Sequence, residues 1–410
     1  MCQHTHNYDE PQQSKPEPAG DQPPFPWHLP ICDAHCHPTD TMASVTDIPS
    51  MRAAALTIMA TRAQDQDLVT DVASNHSNPD LKSLLQGKSE ATDTCAIPSF
   101  GWHPWFSHLL YDDSADTPTF QSISGSETDN AAKQAHYNAV LQPVPSPDFV
   151  ASLPSPIAIS SFLNATESRL STSSCALVGE IGLDKAFRLP EPWQPSDHVE
   201  RDSTLTPGGR EGRQLSPYRV KIEHQRDILA AQLRLAAKAR RAVSVHGVQA
   251  HGILYETLAA TWKGHEREVI TRRKRRLVAS GAEDFSDDDD DDDDDDGSDK
   301  PYPPRMCLHS FSASVEVLRQ YLNRTIPARI FVSLSTAVNL STDASRNKTD
   351  DVLRALPDDS ILVESDLHIA GKQMDSALED MYRHVCRVKG WNLDEGVKKI
   401  ARNYEEFIFG

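Results

Sequence analysis

Short apolar runs recur along the chain, each followed by a turn or a helical pattern. ICDAHCH (31–37) comes first, then AAALTIMAT (53–61), TCAIPSFGWHP (94–104) and CALVGEIGLD (175–184). AVSVH (242–246), MCLHSF (306–311), RIFVSLST (329–336) and SILVESD (360–366) complete the set. Between them lie helical patterns. RAQDQDLVTDVASNH (62–76) is one, and in the strong segment 218–240 Ile222, Ile228, Leu229, Leu233 and Ala236 fall near helical spacing. A further helix runs to about 262, and two more, 374–389 and 394–408, close the chain. Continuous Val/Ile/Leu runs, rather than strict alternation, mark parallel strands buried on both faces. Eight such strands alternating with helices predict an α/β fold, a (β/α)8 TIM-type barrel with long polar insertions. The competing architecture is an open doubly wound sheet. It would carry a Gly-rich phosphate loop after the first strand, where this chain carries histidines.

Length fits the barrel only after subtraction. The chain has 410 residues, whereas such barrels usually need ~250 and grow by insertion. Residues 1–26, rich in Pro, Gln, Glu and Ser, are expected to be a disordered leader. The barrel is expected over 27–410, with disordered or irregular inserts at 111–173, 190–216 and 263–303. The formal charge of −19 is local, because Asp287–Asp296 are ten consecutive aspartates and the rest of the chain carries −9. A run of like charge this long stays solvated. The basic cluster TRRKRR (271–276) just upstream has three open readings: an import signal, a phosphate-contacting patch, or a loosely self-paired solvated insert.

Seven scattered cysteines, with no CxxC pair, point to buried thiols in a reducing compartment. No apolar run approaches the ~20 residues of a membrane span, and the amino terminus shows no secretory signal. The expected location is intracellular, cytoplasmic or nuclear, with no membrane partner.

The chemistry comes from where the polar residues fall. His35 and His37 end the first strand, on one side of it because strand side chains alternate. His103 ends the third strand, Glu180 lies at the end of the fourth, His246 ends the fifth, His309 the sixth and Asp366 the eighth. In a barrel the carboxyl ends of all strands converge on one face, where active sites are built. Independent surface histidines have no reason to occupy the ends of apolar strands repeatedly. Imidazoles plus two carboxylates suffice for two divalent ions bridged by Glu180. Mixed ligation suits Zn, Mn or Fe, and an all-oxygen shell suits Mg better; the identity stays open among Zn, Mn and Mg. Two ions about 3.5–4 Å apart can lower the pKa of water and steady both oxygens of a displacement. Asp366 can then orient that water and accept its proton.

The ordered series DAHCH, GWHP, GEIGLD, QLRLAAKARRAVSVH, LHSFS and LVESD, closed by NYEEFIFG, resembles the TatD-type metal-dependent deoxyribonucleases, a family of amidohydrolase-like barrels. The resemblance implies a hydrolase acting on DNA ends or another phosphoester. It places His35, His37, Glu180 and Asp366 around one ion and Glu180, His246 and His309 around the other, with His103 on the substrate side. The long inserts resemble a fungal branch, some of whose members are named for interacting with a TPR subunit of the anaphase-promoting complex. That implies a protein partner, reached through the inserts. The chain departs from the family pattern at Trp105, where a second histidine is frequent, and at Val248, where an arginine is usual. Leu367 and His368 replace a small residue and a proline. The metal-ligand pattern is intact and the phosphate-contacting residues are altered. Hydrolysis of another ester, a lactone or an amide stays open beside the nuclease reading, as does a weakly catalytic scaffold.

Overall fold

The computed structural model describes residues 23–88, 93–121, 126–193, 202–268 and 300–410. Each of the eight apolar runs is a strand: β1 Cys32–Cys36, β2 Ala55–Ala60, β3 Cys95–Phe100, β4 Val178–Asp184, β5 Val243–Val248, β6 Arg305–Leu308, β7 Arg329–Leu334 and β8 Ile361–Val363. They pair in parallel and in chain order, as one ladder through β1, β2 and β3 and another from β4 to β8. Backbone hydrogen bonds stitch both seams. Phe100 and Leu177 join β3 to the start of β4 through Phe100 N to Leu177 O and Leu177 N to Pro98 O, each 3.0 Å. The chain after β8 meets β1 through Asp366 N to His35 O at 3.0 Å and His37 N to Leu367 O at 2.9 Å. The result is the eight-stranded α/β barrel of the sequence reading.

Helices cover the strands: α1 Gln66–Asn75, α4 Ile222–Lys238, α5 His251–Trp262, α8 Lys372–Lys389 and α9 Leu393–Phe409 where the pattern predicts them, and α6 Val315–Tyr321 and α7 Asp343–Ala355 in addition. Glycine decides how closely β4 meets β5. A Cβ on Gly182, whose φ is +153°, would lie 2.1 Å from the carbonyl oxygen of His246, so only a residue without one lets the two site-bearing strands touch.

The insert expected at 111–173 differs from its reading as irregular chain. It contains α2 Ser126–Val140 and α3 Ile159–Thr172. In α2 the buried face is small, His136, Tyr137 and Val140, and its two apolar members pack on a satellite core of Leu141, Phe149, Val150, Leu189 and Val220. So narrow an apolar face leaves little periodic signal in a polar sequence. The insert expected at 190–216 has no long element in its described part, and it docks on the loops after β1 and β2. There Thr206 N donates to the carbonyl of Asp40 at 2.8 Å, and Arg62 donates to the carbonyls of Thr206 and Pro207, each at 3.3 Å. Most of the leader, the aspartate run and TRRKRR lie outside the described residues, as does most of the 263–303 insert. Six described cysteines are free thiols. Among the described residues no helix is long and apolar enough to cross a membrane.

Candidate metal centre

All seven residues singled out in the sequence meet at the carboxyl ends of the strands. At their centre is Glu180, buried in β4. Its two oxygens face different partners. Oε2 lies 3.4 Å from His35 Nε2 and 3.3 Å from His37 Nε2. Oε1 lies 2.8 Å from His246 Nδ1, 2.9 Å from His309 Nε2 and 3.1 Å from His103 Nε2. Asp366 stands on the His37 side, with Oδ1 3.7 Å from His37 Nε2, and its side chain is 18% exposed. Ser310 Oγ, whose proton goes to Glu364, lies 3.2 Å from Asp366 Oδ2. Three groups hold donor atoms within 4.8 Å of one another: His35/His37/Glu180, His103/Glu180/His246 and His35/His309/Asp366.

The histidines that face Glu180 are also held from behind. His246 turns Nε2 to Asp184 Oδ2 at 3.2 Å. His309 turns Nδ1 to Glu364 Oε1 at 3.5 Å, and His35 turns Nδ1 to Ser244 Oγ at 2.8 Å. His103 caps the turn that follows it, its Nδ1 accepting from Trp105 N–H at 3.2 Å. Partners of this kind fix ring orientation and raise ligand basicity in metal sites. Glu364 is itself saturated, accepting from Ser310 N at 2.8 Å, from Ser310 Oγ at 2.5 Å and from Ser333 Oγ. Asp184, Glu364 and Ser244 are the site residues that the sequence reading missed. Asp184 had a visible signal, since it closes GEIGLD and so shares the mouth with Glu180. Ser244 lies inside an apolar strand with nothing local to mark it, whereas Glu364 directly follows β8 as His309 directly follows β6, a signal passed over in favour of Asp366.

Protonation follows the same geometry. Burial depresses every imidazole here, so a raised pKa requires flanking carboxylates. Against burial, hydrogen bonds to Asp184 and Glu180 push His246 up to about 9. Glu180, with help from Asp40 and Asp366, pushes His37 up to about 9 against the same burial. The charges of Glu180 and Glu364 outweigh burial to hold His309 well above its ordinary value. Burial, together with the charge of His246, brings His103 down to about 4 despite Glu180 and Asp184. Burial and the neighbouring His309 lower His35. Burial opposes ionisation of Glu180, yet the surrounding histidines keep it well below the usual carboxylate range. A single carboxylate with both oxygens ringed by five imidazole nitrogens at 2.8–3.4 Å is a donor set suited to divalent transition ions, which replace the protons when they bind.

A parallel α/β barrel with a mixed imidazole and carboxylate cluster at the carboxyl ends of its strands is a metal-dependent hydrolase architecture. The TatD related DNase family matches residues 32–409, and the chain belongs to that family; it is a metal-dependent deoxyribonuclease/hydrolase acting on phosphoester bonds. It is similar to the Cut9-interacting protein scn1 of Schizosaccharomyces pombe, 37% identical over 379 residues that cover 92% of this chain and 98% of the relative. It is also similar to an uncharacterized deoxyribonuclease of Saccharomyces cerevisiae, 25% identical over 394 residues, 92% of this chain and 99% of that one. Among solved structures, an uncharacterized amidohydrolase from Saccharomyces cerevisiae shares the fold, with a TM-score of 0.50 and 13% identity over 92% of this chain and 99% of that one.

Proposed function

We propose that the chain hydrolyses phosphodiester bonds at DNA ends, with two divalent ions sharing Glu180. The observation that carries this reading is the division of Glu180, one oxygen facing His35 and His37 and the other facing His246 and His309. His35, His37 and Asp366 would hold one ion with Oε2, and His246 and His309 the other with Oε1. Divalent ions in such a place supply Lewis acidity and bring the pKa of water to about 7.

The remaining work belongs to the protein's own groups. Asp366, the most open carboxylate of the set, orients the attacking water and takes its proton. His103 is a hydrogen-bond donor rather than a ligand. Its Nδ1 accepts from Trp105 N–H, so the neutral ring carries its proton on Nε2, aimed into the centre. That proton serves the oxygen on which charge develops.

Val248, at the mouth end of β5, favours a second reading. An aliphatic side chain supplies no bidentate contact to phosphate, and the same centre serves another ester, a lactone or an amide. The fission-yeast relative is named for an interaction with Cut9, and we extend to this chain a protein partner alongside its hydrolytic activity and an intracellular location. Labelled single-stranded DNA, a lactone panel and simple esters, each assayed with the wild type and Glu180→Ala, separate the readings. The proposal expects DNA cleavage that Glu180→Ala abolishes. Cleavage of lactones or esters alone would replace it with the second reading.

A further inference from the structure

Trp105 stands beside the centre in a setting of its own. It follows His103 by two residues, and its ring meets His103 edge-on, with centroids 4.7 Å apart and planes at 83°. Phe187 lies flat against it, at 4.4 Å and 10°. Both rings are partly exposed, whereas His103 and Phe106 nearby are buried. Phe187 enters none of the apolar clusters, and among the described residues its one ring partner is Trp105.

A single carboxylate fixes this pair to the metal centre. Asp184 Oδ2 accepts from Trp105 Nε1 at 2.6 Å and lies 3.2 Å from His246 Nε2. Asp184 Oδ1 accepts from the backbone N–H groups of Ala186 at 2.6 Å and Phe187 at 2.9 Å. Trp105 packs on the small cluster that holds Trp102 and Phe106 and so backs Phe187, which fills no core and, partly exposed at the rim, offers the stacking surface. Every nucleobase has a flat π-face, so stacking on an aromatic ring holds a strand without reading its sequence.

We propose that Trp105 and Phe187 form a shelf that stacks the base next to the scissile phosphate, an inference that rests on the DNA reading above. The shelf compensates for the guanidinium that Val248 does not supply, by gripping the base instead of the phosphate. A base must leave its duplex neighbours to reach it, so the substrate is an unpaired end.

The full chain, loaded with Mn2+, is given two short labelled single strands, one with a base on the nucleotide beside the cleaved bond and one abasic there, tested at each end. The shelf predicts that kcat/KM favours the base-bearing strand by about tenfold, the size of one base–aromatic stack. Phe187→Leu brings that ratio close to one, chiefly through KM, and Phe187→Tyr keeps it. Trp105→Leu also lowers the ratio, but it releases Asp184 as well, so Phe187 is the cleaner position. A wild-type ratio near one, or a ratio that survives Phe187→Leu, overturns the shelf and leaves the DNA reading standing. Cleavage of neither strand overturns that reading and the shelf together.

Discussion

Asp184 lies 3.2 Å from the Nε2 of His246, on the edge of the ring turned away from Glu180. That contact sets which nitrogen faces the centre, because the ring cannot present Nε2 to Glu180 without leaving Asp184. Loss of such a supporting carboxylate typically lowers metal affinity 10–100-fold. Asp184→Asn is therefore expected to bind divalent ion about 10–100-fold more weakly, with its fold retained, measured by competition against a chelating dye. Wild-type affinity in that variant would remove Asp184 from the centre.

Glu364 plays the matching part for His309, but its first role is in folding. It is fully buried, and Ser310, Ser333 and His309 all turn toward it. Replacing it by alanine strands those donors in a dry interior. Glu364→Ala is expected to cost about 3 kcal/mol of stability, read as a lower midpoint in urea with an unchanged slope. An unshifted midpoint would show that these donors find other partners.

The protonation pattern predicts how the metal-free protein responds to pH. His37 and His246, raised to about 9 in the folded chain, bind more protons folded than unfolded between about 6.5 and 9. Their stabilisation is complete below about 6.5 and is lost as pH climbs through about 9. His103 and His136, lowered to about 4, and His108, lowered to about 3, act oppositely, and stability drops as pH falls below about 6.5. Asp33, whose burial lifts it to about 7, tempers that acid-side loss without matching three histidines. Thermal melts of the metal-free chain should peak in the neighbourhood of pH 6.5. His309 is raised as well, so loading with metal at pH 7 should release about three protons, a number obtained by calorimetry in buffers of different ionisation heat. Release of no protons would mean that the imidazoles facing Glu180 are already neutral.

Arg62 ties the docked insert to the barrel. Its guanidinium reaches Asp40 at 2.8 Å, Asp65 at 3.1 Å and the carbonyls of Thr206 and Pro207. Its side chain is almost wholly buried, so removing it leaves the buried carboxylate of Asp65 without its cation, held only by hydrogen bonds from Thr61 and the backbone N–H of residue 62. Arg62→Ala is expected to lose about 3–5 kcal/mol and to expose 202–213 to protease before the rest of the chain. Equal cleavage rates in wild type and variant would argue that Arg62 does not anchor that segment.

The strand ends were readable because the barrel imposes a rule on them. A strand buried on both faces is apolar, so a histidine or glutamate that closes its apolar run stands out: His246 after AVSV, two residues short of the end of β5, and His309 directly after β6. The supporting groups obey that rule only in part. Ser244 sits within an apolar run and acquires its role only when β5 faces His35 of β1, whereas Glu364, directly after β8, obeys the rule and was passed over for Asp366. Trp105 was visible as a departure from a family pattern, but its pairing with Phe187 arises from a connection that leaves β4 and returns to the mouth. Helix α2 was missed for another reason, since its few buried residues face a small secondary core.

Metal content of the purified chain, compared between wild type and Glu180→Ala by elemental mass spectrometry, tests the shared carboxylate most directly. Two ions bridged by one residue predict about two per wild-type chain and loss of both together in the variant. Retention of one full ion in Glu180→Ala would show that the two halves of the cluster bind independently, and the bridging role of Glu180 would be contradicted.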